Sequence, residues 1–248
     1  LGENGPGRRA EGGGLGASER RPQFYGRRRG RPLRAGRAEL LDRLLPSLAT
    51  PDPMAGPIRP DTLFPGLKKS AYWLEVGFGG GEHLVSQATA NSDVGLIGAE
   101  PFVAGVSSCL AGIEAAGIEN VRLHADDARP LMAALPEASM DKVFVLHPDP
   151  WRKRRHWERR LIGPKGLDAI ARLLVDGGEL RCSTDHSGYQ VWMLRHLRAD
   201  ARFRWLAETA DDWRIRPDDW PETRYEAKAV REGRPLMYLR FQRERRQA

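Results

Sequence analysis

Cysteine is nearly absent from this chain: 248 residues hold only Cys109 and Cys182, far apart and in no CxxC pair. That excludes a disulfide framework and a thiolate metal site, and it fits a reduced, cytoplasmic setting. The six histidines form no His-x-x-x-His pair and no Cys/His spacing, so no metal is expected. Apolar runs never approach the length of a membrane span, and the arginine-rich beginning has no apolar core of a secretory signal, so no membrane partner is expected. Residues 1–19 are rich in glycine and poor in groups that could offset the entropy of ordering, and are expected to be disordered.

Positive charge is present in excess, and it is local. The formal net charge is +7, and residues 1–37 alone carry ten arginines against three glutamates, leaving the remainder balanced. A second basic run, residues 152–160, holds six basic groups and one acid. Two basic features on a slightly acidic body suggest a polyanionic partner approached from one side. The length suits one sizeable core, so we expect a basic arm over residues 1–37 and a single domain over residues 38–248.

From residue 71 the chain alternates short apolar or β-branched runs with helical patterns, as in an α/β fold whose parallel sheet is covered on both faces. Strands are predicted near 72–77, 94–99, 120–125, 141–147 and 178–184, and helices near 82–90, 102–116, 129–135, 162–175 and 187–198. Tyr189, Trp192, Met193, His196 and Leu197 recur at helical spacing, which makes His196 a packed core residue rather than a ligand. Two late runs, Phe203-Arg-Trp-Leu-Ala and Pro235-Leu-Met-Tyr-Leu-Arg-Phe-Gln, are separated by residues with no strong helical pattern, and should pair antiparallel.

Leu74-Glu-Val-Gly77-Phe-Gly79-Gly-Gly81-Glu82 is a strand entering a glycine turn that opens a helix, either a structural turn or a place where a nucleotide-type ligand meets the backbone. Glu100, 23 residues beyond Gly77, stands where a ribose would want acceptors. A dinucleotide fingerprint would place a small residue at position 82, and a diphosphate would be repelled by Glu82 and Glu75. S-adenosylmethionine has no phosphate and carries an ammonium and a sulfonium, so it tolerates these acids. Ala125-Asp126-Asp127-Ala128 ends the third strand and is a candidate acceptor for an adenine edge.

The fourth strand ends in His147-Pro-Asp149-Pro-Trp151, followed by the basic run. Each proline disfavours helical geometry in the residue before it, so His147 and Asp149 are both expected to be extended, with Asp149 aimed from the carboxyl end of the sheet. The alternative is a turn trailed by a solvated basic helix.

These residues resemble the bacterial tRNA (guanine-N7-)-methyltransferases over roughly residues 22–243. The likeness rests on Leu74-Glu-Val-Gly-Phe-Gly-Gly-Gly, Glu100, Asp126-Asp-Ala, Pro148-Asp-Pro-Trp with Lys153, Ser183-Thr-Asp185, Thr223-Arg-Tyr-Glu226, and the arm Phe24-Tyr-Gly-Arg-Arg-Arg-Gly-Arg-Pro-Leu-Arg. It implies a Rossmann-like class I methyltransferase fold, mostly parallel with an antiparallel C-terminal strand, and methyl transfer from S-adenosylmethionine to N7 of a guanosine in the tRNA variable loop. Glu75, Gly77, Gly79, Glu100, Asp127 and Asp149 would bind the cofactor, with Asp149 also catalytic. Lys153, Asp185, Thr223, Arg224, Tyr225 and Glu226 would meet the guanosine or its surroundings, and Arg154, Arg155, Arg159 and Arg160 the RNA backbone. His147 stands where the family usually has Phe or Tyr, and Arg152 where Pro or His is common. The chain would act as a monomer or homodimer. Rival readings are methylation of an exocyclic amine, which the order Pro-Asp-Pro-Trp disfavours, a small-molecule methyltransferase, which leaves both arginine clusters idle, and an RNA-binding protein without activity.

Overall fold

Alternation of apolar side chains along each strand decides which layer it covers. The computed structural model describes residues 24–247, so the expected disorder of residues 1–19 lies outside the described residues. Two helices lead in, α1 (Ala35–Arg43) and α2 (Leu45–Leu48). The α/β alternation follows: β1 (Ala71–Val76), α3 (Glu82–Ala90), β2 (Val94–Ala99), α4 (Val103–Ala116), β3 (Val121–His124), α5 (Ala128–Ala134), β4 (Met140–Leu146), α6 (Pro164–Leu173), β5 (Leu174–Thr184) and α7 (Ser187–Ala199). The chain closes with β6 (Phe203–Trp205), α8 (Asp211–Arg214), α9 (Arg224–Arg231) and β7 (Met237–Arg243).

The seven strands lie in the order β3-β2-β1-β4-β5-β7-β6. The first five are parallel, and β7 inserts antiparallel between β5 and β6. Leu74, Val76, Ile97, Val143 and Val145 face a core shared with α5, α6 and α7. Their neighbours Trp73, Leu96, Phe144 and Leu146 face the opposite core, with α1, α3 and α4. This two-residue period is what a sheet covered on both faces requires. Strand order reverses between β1 and β4, so the crevice at their carboxyl ends is the place where such sheets hold ligands.

Three expectations need correction. The stretch between β6 and β7 does form helices, and α9 is eight residues long. α1 begins at Ala35, inside the expected arm, because Arg37 is tied to α4: its guanidinium donates to the Ser107 carbonyl at 2.9 Å and its own carbonyl accepts from Ser107 Oγ at 2.8 Å. His196 is only half-buried and lies at the edge of its stripe against Trp192, while Tyr189, Met193 and Leu197 fill the core.

Candidate active site

The glycine turn after β1 needs its glycines for conformation: Gly77, Gly79 and Gly81 have φ of +78°, +55° and +84°, where a Cβ is strained. α4 packs against this turn closely enough that a Cβ on Gly105 would lie 2.3 Å from the Gly79 carbonyl oxygen. Gly105 therefore belongs to the architecture of the site, although no spacing in the sequence marks it.

Glu100 ties the turn to the end of β2. Its Oε2 accepts from the Gly79 N–H at 2.9 Å and its Oε1 from the Phe102 N–H at 2.8 Å. Burial raises its pKa against the opposing pull of these two backbone bonds, and the charge of Asp149 pushes in the same direction as burial. A carboxylate oxygen can accept more than one bond, so Glu100 retains capacity for a hydroxyl pair.

Glu75 points to the α3 face and is almost wholly enclosed. His83 Nδ1 lies 2.7 Å from its Oε2, and the His83 ring packs 4.7 Å from Phe144 and 6.2 Å from Trp220. His83 was missed in the sequence, where it is one residue of a helix start. Glu82 differs from expectation. It forms an ion pair with Arg224 at the start of α9, so its charge is compensated and repels a diphosphate less than the sequence suggested.

At the end of β3 the two aspartates divide their work. Asp127 caps α5, accepting from the Arg129 N–H at 3.0 Å and pairing with the Arg129 guanidinium. Its carboxylate thus holds the start of α5 as well as standing at the end of β3. Asp126 accepts from the Asp127 N–H at 2.6 Å and pairs with Arg28 of the arm. Burial opposes its ionisation, but these two partners hold its pKa below the usual range.

The loop after β4 carries Asp149 into the open. Its carboxylate is exposed and has no hydrogen-bond or ion-pair partner among the described residues. Burial raises the pKa of Tyr225, followed by the charges of Glu100 and, more weakly, Asp149, so both carboxylates lie near its ring. His147, however, is not extended: it has φ of +48°. The following proline excludes right-handed helical geometry, but the His147 N–H continues the ladder to Ser183 O at 2.9 Å and the chain must then turn out of the sheet. Its ring stacks on Tyr225 with centroids 6.3 Å apart and lies 3.8 Å from Asp185, which is paired with Arg234. Burial, and then the Arg234 charge, push the His147 pKa down to about 4.

The basic run forms a 3₁₀ helix, Arg154–Arg159. Arg152, Lys153, Arg154 and Arg155 are exposed. Arg159 is half-buried with its guanidinium 3.8 Å from the Tyr25 ring and 5.1 Å from Trp151. Arg160, expected at the RNA surface, is 6% exposed and turned inward, with its Nε donating to the Pro150 carbonyl at 2.8 Å. That expectation is corrected: a side chain enclosed in this way cannot neutralise a phosphate.

The Thr223-Arg-Tyr-Glu226 segment also splits. Thr223 and Glu226 are buried, with Thr223 Oγ1 accepting from the Glu226 N–H at 3.3 Å as the cap of α9, and Glu226 accepting from the Tyr238 hydroxyl. Threonine followed three residues later by glutamate is a capping signature. Arg224 and Tyr225 instead reach the glycine turn. A Cβ on Gly79 would lie 3.0 Å from the Tyr225 ring. Trp220, 2% exposed, anchors this crossing against His83 and Tyr238.

Glu100 and Tyr225 meet the glycine turn at Gly79, Glu75 is buried beneath it, and the Asp149 charge acts on both Glu100 and Tyr225, while Lys153, Arg154 and Arg155 are exposed on the segment that follows Asp149. A family described as “Putative methyltransferase” matches residues 69–239. The tRNA (guanine-N(7)-)-methyltransferase of Rhodospirillum rubrum is 52% identical over 229 residues, covering 91% of this chain and 89% of the relative. Namesakes from Rhodopseudomonas palustris and Bradyrhizobium diazoefficiens are 49% and 48% identical, each over 89% of this chain and over 86% and 93% of their own lengths.

The chain belongs to the tRNA (guanine-N(7)-)-methyltransferase family.

Family membership implies S-adenosylmethionine, and the residues of this tRNA (guanine-N(7)-)-methyltransferase family member fit it. The glycine turn leaves open space above Gly77, where no atom lies within 4 Å of a built Cβ. The turn is lined by carboxylates rather than by cations, apart from Arg224, whose charge is taken up by Glu82. Among the described residues no group of side chains could hold a metal ion, and no helix is long and apolar enough to cross a membrane.

Proposed function

We propose that this chain transfers a methyl group from S-adenosylmethionine to N7 of a guanosine in the variable loop of tRNA. The observation that carries the reading is the exposed Asp149 carboxylate, unpartnered among the described residues and close enough for its charge to act on Glu100, with Lys153, Arg154 and Arg155 exposed just after it in the chain. Bound there, the cofactor supplies an electrophilic methyl on a sulfonium.

Glu100 would hold the ribose hydroxyls with the acceptor capacity left after its two backbone bonds. Glu75, fixed by His83, adds negative charge beneath the turn and favours a cationic ligand over an anionic one. Asp127, paired with Arg129, and Asp126, paired with Arg28, stand together at the end of β3, and the acceptor capacity left on Asp127 would serve an adenine edge.

Guanine N7 has an in-plane lone pair and no hydrogen. The N–C bond forms as the S–C bond breaks, positive charge moves from sulfur to the purine, and no proton leaves before attack. The chain therefore needs no strong base, and rate comes from alignment and from carboxylates placed where the cation develops. Asp149 would orient the base through its N–H edge or stabilise that charge. Asp185, held by Arg234, stands on the neighbouring strand end for the same edge. Tyr225, exposed and stacked on the buried His147, would offer a face for a base taken out of its stack.

Incubation of the full chain with unmodified tRNA and methyl-labelled cofactor, followed by nucleoside analysis, tests the reading. Label in 7-methylguanosine supports it. Label in a methylated exocyclic amine, or none in RNA, overturns it.

A further inference from the structure

The loop that carries Asp149 is poor in backbone hydrogen bonds. Pro148 and Pro150 have no N–H, and from residue 148 to residue 152 no backbone group is paired with another backbone group among the described residues. One side of the loop is fixed by the His147 N–H on Ser183 O. Arg160 fixes the other. Its Nε donates to the Pro150 carbonyl at 2.8 Å and its Nη2 reaches the Trp151 carbonyl at 3.5 Å, so the carbonyls of the two residues that follow Asp149 converge on a single guanidinium.

That guanidinium sits in a built cage. Its carbon lies 4.9 Å from the Trp157 ring centroid, 5.0 Å from Tyr189 and 4.8 Å from Trp192. The walls are themselves pinned: Trp192 Nε1 donates to Ile162 O at 2.6 Å, the Ile162 N–H donates to the Tyr189 hydroxyl at 3.2 Å, and the Trp157 and Trp192 rings meet edge to face at 5.3 Å. No carboxylate among the described residues pairs with Arg160. The charge of this buried cation is met by aromatic faces and by the two loop carbonyls, an arrangement that suits a planar guanidinium, whose edge donates to both carbonyls from fixed directions while its faces meet the rings.

We propose that Arg160 is a positioning residue: it holds the Pro150 and Trp151 carbonyls so that Asp149 faces the crevice at the distance methyl transfer needs. The proposal rests on the role given to Asp149 above. Arg160 acts through Asp149 and touches neither substrate nor cofactor.

The test uses the full chain with tRNA and S-adenosylmethionine, in Arg160→Lys, Arg160→Gln, Asp149→Asn and the double variant Asp149→Asn with Arg160→Gln. Arg160→Lys keeps the charge within the cage and guards against simple unfolding, which melting curves check. Both Arg160 variants are expected to lose at least about tenfold in kcat, within what small misplacements of a reacting group cost. The KM for tRNA and the salt dependence of tRNA binding should stay at wild-type values. Because Arg160 works through Asp149, the double variant should be no slower than the slower single one. Wild-type kcat in Arg160→Lys beside an inactive Asp149→Asn overturns the proposal alone. A raised KM with a flatter salt dependence overturns it in favour of a phosphate contact, and an active Asp149→Asn overturns the role of Asp149 beneath it.

Discussion

His147 shows how one side chain can set a pH limit. It is buried beside Arg234, and its pKa falls from 6.5 to about 4. Below about pH 6.5 the unfolded chain takes up a proton at this ring that the folded chain refuses, so stability is lost as pH falls and the loss is complete near the folded pKa. The shift is worth on the order of 3 kcal/mol at its full extent. Urea denaturation of wild type and His147→Phe at pH 7.5 and pH 5 checks this. The wild type should lose more stability between the two than the variant does, and equal losses would remove His147 from the balance.

At the scale of elements, α9 matters most, because it brings Arg224 and Tyr225 over the glycine turn. Its start depends on the Thr223 cap and on buried Glu226, which also faces Arg216 at 3.4 Å. Thr223→Ala removes the cap at a cost of about 1 kcal/mol. Fraying there should loosen Tyr225 from Gly79 and weaken cofactor binding in calorimetry, while Thr223→Ser should restore both. Unchanged affinity in Thr223→Ala would show that the α9 start does not shape the crevice. This element was also the least legible in the sequence. The five parallel strands and their helices were readable because β-strand alternation and glycine breaks are local signals, and Glu100 and Asp149 followed from their places at strand ends. α9 is short and half charged, it buries only Glu226 and Ala229, and it is held by distant contacts such as Tyr238 with Glu226. Arg160 was misread for a related reason. A run of arginines reads as one surface, and only the fold separates exposed Arg154 and Arg155 from a residue caged by α7. His147 was misread because the rule for residues before proline excludes one region without choosing between the others.

Across the whole molecule, the arm and the basic run meet. Arg28 accepts from the Val103 N–H through its carbonyl and pairs with Asp126, while Tyr25 lies against Arg159 and Trp151. Arg27 and Arg29 remain exposed near the arm, as do Arg154 and Arg155 on the 3₁₀ helix. Neutralising Arg154 and Arg155 together, or Arg27 and Arg29 together, should weaken tRNA binding. Each should flatten its dependence on salt by about one unit of slope per lost phosphate contact, with cofactor affinity unchanged. Filter binding across salt concentrations reads this directly, and slopes identical to wild type would mean these groups only face solvent.

The central claim is that the nitrogen accepting the methyl is guanine N7. A tRNA transcript in which every guanosine is replaced by 7-deazaguanosine keeps the pairing edges but has carbon in place of N7. Full-length protein and labelled S-adenosylmethionine should place label in 7-methylguanosine of the ordinary transcript and none in the deaza transcript. Comparable label in both would contradict the account, because the methyl would then be travelling to another atom.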